Sequence, residues 1–143
     1  MINDRIIYRR LDKIQENVQL LRSLEGKSFD EFVSNSFYVS GSEHALQISI
    51  QAIIDICSCL VREAQVHMPE EYGELPRILS ELGVFPKEFA ERLGSMIGMR
   101  NVLVHLYLQV DVSLVYEVIQ KNLDDFDQFA KYVVVYLEKE GVA

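Results

Sequence analysis

The chain has 143 residues, 49% of them apolar, with only three prolines and seven glycines, so it fits one domain (residues 1–143) of long regular elements whose core needs no staples. A net charge of −8 repels phosphate backbones and argues against general nucleic-acid binding, though not against a local basic pocket or a basic protein partner. The opening MINDRIIYRRLDK lacks the apolar stretch of a signal peptide, and the apolar runs read as shorter than a membrane span, so the expectation is a cytoplasmic protein with no membrane partner.

Ile7, Leu11, Ile14, Val18 and Leu21 recur at alternating steps of four and three, which predicts an amphipathic helix from about Asn3 to Glu25, stopped at Gly26. A short segment follows with Phe29, Phe32 and Val33 on one side. Ser40 and Glu43 fit a capping box. They predict the start of a helix whose buried face carries Leu46, Ile50, Ile53, Ile54, Cys57, Leu60, Val61 and Ala64, with Pro69 marking its end. Ile48 and Ile56 exceed what one face needs, so this helix is central or covered by a second subunit. Glu74 to Leu82 reads as a short helix ended by Gly83. Pro86 then stands in the first turn of a helix from about Lys87 to Val104. One last helix is expected from near Val112, carrying Val115, Val118, Ile119, Phe126, Phe129, Val133 and Leu137, with Asp124, Asp125 and Asp127 as a solvated face. No segment alternates with period two over strand length, and the sum is an all-α bundle.

Cys57 and Cys59 read as ordinary buried thiols of a reducing compartment. On a helix they point about 200° apart, so they cannot share a metal ion. His44 reads as a surface residue. The chemically informative stretch is GSMIGMRNVLVHLY, Gly94 to Tyr107. Phe89, Leu93, Met96, Arg100 and Val104 share one stripe, so an arginine interrupts an apolar face. Gly94, Gly98, Asn101 and His105 share the next, where missing side chains let another backbone approach. These residues also admit a purely structural account: close packing at the glycines, Arg100 paired with a carboxylate such as Asp55, His105 on a helix dipole, and Tyr107 at a domain edge. The bare spacing is not distinctive, since Arg62 and His67 repeat it. Arg5, Arg9 and Arg10 form a basic group that reads as a solvated patch.

The segment RNVLVHLY resembles the HEPN motif of arginine, a polar residue and a histidine a few residues on. More narrowly it is similar to the arginine, four residues, histidine, one residue, tyrosine form of HepT toxins. HALQISIQAIIDICSCLVREA and LGVFPKEFAERLGSMIGMRNVLVHLY share the resemblance, as do the helix spacing and total length. It implies an up-and-down HEPN bundle of four to five main helices, dimeric, with both subunits' motifs lining one cleft. It also implies an endoribonuclease with no metal or other cofactor. In that reading His105 is the general acid or base, Arg100 stabilises phosphoryl charge, and Asn101 supports His105 from one turn away. Tyr107 becomes the target of a nucleotidyltransferase (MNT-type) antitoxin that attaches AMP to it, repelling RNA. The partners implied are RNA, that antitoxin and a second copy of the chain. A non-catalytic HEPN subunit serving a nucleotidyltransferase is the alternative. On an unbroken helix Arg100 and His105 diverge by about 140°, so convergence needs the helix to end or distort near Val104, or the arginine to reach around.

Overall fold

The computed structural model describes residues 3–104 and 112–140. Among these residues the chain is all-helical: α1 (Asp4–Arg22), α2 (Phe29–Val33), α3 (Ser36–Glu63), a 3-10 turn (Tyr72–Glu74), α4 (Leu75–Glu81), α5 (Lys87–Val104), α6 (Val112–Lys121) and α7 (Leu123–Lys139). In α1 the Asn3 side chain caps the first turn by accepting from Ile6 N, and the expected stripe is buried. Gly26, at φ +85°, makes the turn that a side chain would strain. Ser28 and Glu31 then close a capping box on α2. Of the three apolar residues expected on one side of α2, only Phe32 enters the core. Phe29 packs edge-on against Tyr116, and Val33 is exposed.

The long central helix starts earlier than Ser40 and Glu43 suggest. Asn35 is the cap, its side chain accepting from Phe37 N and Tyr38 N at 3.0 and 3.2 Å, so Ser40 and Glu43 lie inside α3. Asparagine caps as well as serine does, and nothing between the two sites opposes a helix. The other end also falls short of Pro69: Gln65 turns into the left-handed region at φ 59°. α3 packs against α1, α2, α4, α5 and α6. That answers one of its two surplus apolar residues: Ile56 is fully buried within one chain, like Ile50, Ile53 and Cys57, whereas Ile48 is only half-buried. By length and composition α3 is also able to cross a membrane, contrary to the sequence expectation, but here it is mostly buried as the core helix.

The last expected helix is two. Asn122, at φ −121° and ψ 5°, separates α6 from α7. Phe85, just before α5, and Phe89 of α5 meet Phe129 and Tyr132 of α7, with ring centroids in this cluster 5.0–6.0 Å apart. The acidic cluster is not merely a solvated face. Arg22 of α1 donates to Asp124 at 2.9 Å and to Asp127, and Arg92 of α5 pairs with Asp125 at 3.4 Å.

Candidate functional site

α5 presents Phe89, Leu93 and Met96 to the core, all nearly fully buried. One turn on, the same stripe delivers Arg100, half-buried. An arginine at that depth needs an acceptor. Its Nε donates to Gln51 Oε1 of α3 at 2.6 Å. The other end of the Gln51 amide, Nε2, donates to Asp55 Oδ1 at 2.9 Å, and Arg10 Nε of α1 donates to Asp55 Oδ2 at 3.4 Å. Three helices thus meet along one line of polar groups: guanidinium, amide, carboxylate, guanidinium. The Gln51 amide has one orientation that serves both neighbours, oxygen to the arginine and NH₂ to the carboxylate.

Asp55 does pair with an arginine, but the arginine in direct contact is Arg10, which sequence reasoning left in a solvated patch. Gln51 escaped notice altogether. Its signal was present: Glu43, Gln47, Gln51 and Asp55 stand at steps of four, a polar stripe on an otherwise apolar helix. Glu43 lies on that stripe rather than at a cap, and burial pushes its carboxyl up from the ordinary value. Asn101 follows Arg100 on α5 and is exposed. His105 and Tyr107 lie outside the described residues, as does the convergence of Arg100 with His105.

The two glycines of α5 differ. A Cβ on Gly94 would stand 3.0 Å from the Gly73 carbonyl oxygen, so that glycine serves close approach inside one chain. Gly98 is exposed, with nothing within 4 Å of where a Cβ would be. The second arginine–histidine pair is divided: Arg62 stands in the last turn of α3 and His67 lies past Gln65, both exposed. His44 is exposed as expected. A recess of about 360 Å³ opens beside Arg10 and Asp55, with Ile6, Cys59, Arg62 and Tyr72 on its walls. A cavity of about 650 Å³ between α4, α5 and the 3-10 turn, reached by Arg77, Lys87 and Glu91, does not include Arg100. Among the described residues no group of three His, Cys, Asp or Glu side chains is placed to hold a metal ion.

The family model described as "Ribonuclease HepT-like" matches residues 14–133. The chain belongs to the HepT-like ribonuclease family. This HepT-like chain is 31% identical over 84 residues to the mRNA nuclease HepT of Shewanella oneidensis, covering 59% of this chain and 63% of that protein. It therefore spans just under two thirds of that relative's length. It is 33% identical over 131 residues to a protein of Archaeoglobus fulgidus named as a candidate RNase, covering 92% of this chain and 95% of the other. It is 26% identical over 132 residues to the tRNA nuclease HepT of Aphanizomenon flos-aquae, covering 92% and 90%.

The fold is that of HEPN toxins. A tri-AMPylated Shewanella oneidensis HEPN toxin in complex with its MNT antitoxin superposes with a TM-score of 0.82 at 24% identity, covering 91% of this chain and 97% of that one. A cytosolic protein of unknown function from Bacillus subtilis, YutE, gives a TM-score of 0.85 at 20% identity, covering 99% and 95%.

Proposed function

We propose that this HepT-like protein is an endoribonuclease toxin of the cytoplasm that cuts tRNA or mRNA without a metal ion. It acts as a homodimer and is silenced when a cognate MNT-type nucleotidyltransferase transfers AMP to Tyr107. The carrying observation is Arg100: within a family of ribonucleases, the arginine of the RNVLVHLY segment is half-buried and partnered, among the described residues, by an amide rather than a carboxylate. Among the described residues no carboxylate pairs with it to compete with phosphate.

In the proposed reaction the ribose 2′-oxygen attacks the adjacent phosphorus as the P–O5′ bond breaks. A base takes the 2′-hydroxyl proton and an acid returns one to the leaving 5′-oxygen, leaving a 2′,3′-cyclic phosphate and a 5′-hydroxyl. His105 takes one of these proton-transfer roles, since an imidazole exchanges protons near neutral pH. Arg100 stabilises the negative charge that builds on the phosphoryl oxygens, and Asn101 supports His105. An AMP on Tyr107 places a phosphate two residues from His105, which repels RNA and blocks its approach.

The test is cleavage of tRNA and mRNA by purified protein in EDTA. The expected product carries a 2′,3′-cyclic phosphate, and His105→Ala slows the reaction at least about a hundredfold. Cleavage that survives this substitution at full rate overturns the assignment. The net charge of −8 favours a second reading, a non-catalytic HEPN subunit of a nucleotidyltransferase. That reading predicts harmless expression without the partner, whereas the toxin predicts growth arrest that depends on Arg100 and His105.

A further inference from the structure

An arginine that stabilises a phosphoryl transition state has two requirements that pull against each other. It must be held still, because misplacement by an ångström is costly. It must also keep its charge unspent, because a carboxylate forked against it competes directly with the phosphate. A neutral acceptor satisfies both. The Gln51 oxygen takes the Nε–H of Arg100 at 2.6 Å and brings no charge. That bond uses the Nε side of the guanidinium and makes no use of the Nη edge.

A lone glutamine amide is free to turn over, which would set its NH₂ against the arginine. Asp55 removes that freedom. It accepts from Gln51 Nε2 at 2.9 Å, and a carboxylate takes only the NH₂ end. Asp55 is itself held from the far side by Arg10 at 3.4 Å, and the residue spacing keeps it one full turn of α3 from Gln51. The four groups carry one net positive charge. The negative charge is spent on Arg10 and on orienting the amide, one residue removed from Arg100.

We propose that Gln51 is the positioning residue for Arg100, locked in orientation by the Asp55–Arg10 pair, so that the guanidinium is fixed without being neutralised. The inference rests on the nuclease reading for its functional consequence, but its structural half is tested separately.

The experiment uses the full chain with a tRNA substrate in EDTA, read as kcat and KM. Gln51→Ala is expected to lower kcat about tenfold with little change in KM, and Asp55→Asn to fall between it and wild type. Gln51→Glu keeps the shape but sets a carboxylate between Arg100 and Asp55; it is expected to lower kcat at least as far as Gln51→Ala. In an Arg100→Ala background, Gln51→Ala is expected to cost nothing further, because its effect runs through that arginine. Gln51→Ala at wild-type kcat, or an equal loss with and without Arg100, overturns the proposal. Gln51→Met, which keeps length and loses the amide, replaces Gln51→Ala if that variant does not fold.

The second readout needs no RNA. The Nε–H signal of Arg100, identified by its disappearance in Arg100→Ala, is expected to exchange slowly with water in the wild type and faster in Gln51→Met. Exchange that ignores Gln51 sinks the proposal whatever the activity. A wild-type protein that cuts no RNA but shows this dependence defeats the nuclease reading alone, leaving Gln51 as the support of an arginine that only binds.

Discussion

Two thiols two residues apart on α3 meet opposite surroundings. Cys57 is fully buried and burial pushes its thiol far up; Cys59 is only partly buried, pushed up by burial first and then by Glu63, with Arg62 and Arg10 pulling the other way. A raised thiol pKa means less thiolate, hence slower reaction, at any given pH. At pH 8 a thiol reagent is therefore expected to label the native protein once, slowly, at Cys59, and faster as the pH rises. Both thiols should react in denaturant, and Cys59→Ser should leave the native protein unlabelled; a second native labelling event would show that the core around α3 opens. The sequence reading takes both thiols as buried, which holds for Cys57 and not for Cys59, whose side chain points about 200° away from that of Cys57 on the helix. The sequence disclosed Arg100, because a charge on an apolar stripe stands out. Gln51 was harder to see, because a glutamine is unremarkable until its neighbours on α1 and α5 are known.

Helix ends and helix contacts carry the next level. Gly94 and Gly98 look equivalent in the sequence, and their surroundings make them opposites. Gly98→Ala is expected to stabilise the protein by about 1 kcal/mol, the ordinary helix-propensity difference at an open site. Gly94→Ala is expected to destabilise it by about 1–2 kcal/mol, because the new methyl stands 3.0 Å from a backbone carbonyl that cannot move cheaply. Thermal or urea unfolding of the two variants checks both signs, and equal shifts would contradict the close approach of α5 to Gly73. The positions of most helices were legible from period alone. The break at Asn122 was not, because Ile119, Leu123 and Phe126 continue the steps of four and three straight across it, and periodicity registers faces rather than interruptions. The early start of α3 was missed for a different reason: two acceptable caps, Asn35 and Ser40, stood five residues apart, and local chemistry did not rank them.

At the scale of the molecule, amphipathic stripes announced a bundle without naming which helix meets which. The pairing of α1 with α7 is one such unannounced contact, and Arg22 fastens it through Asp124, Asp127 and its own neighbour Glu25. These carboxylates hold the guanidinium firmly in its charged form. Close by, α6 grips the turn after α1: Gln120 accepts from Gly26 N at 2.8 Å and donates to Leu24 O at 3.0 Å, while Tyr116 donates to Lys27 O at 2.6 Å. Arg22→Met is expected to lower stability by about 1 kcal/mol at low salt, since it leaves three acidic groups together, and by less as salt screens them. Unfolding curves at two ionic strengths read the difference; a loss independent of salt would assign the effect to packing instead. The pairing of α1 with α7 also sets an order of events at the ribosome. A nascent chain can lay α1 on α3 early, but the flank holding Leu11 and Ile14 waits, wetted, for Phe126 and Ala130. Until the 17 residues of α7 are free to pack, the bundle has an open seam, so the finished form waits on that helix.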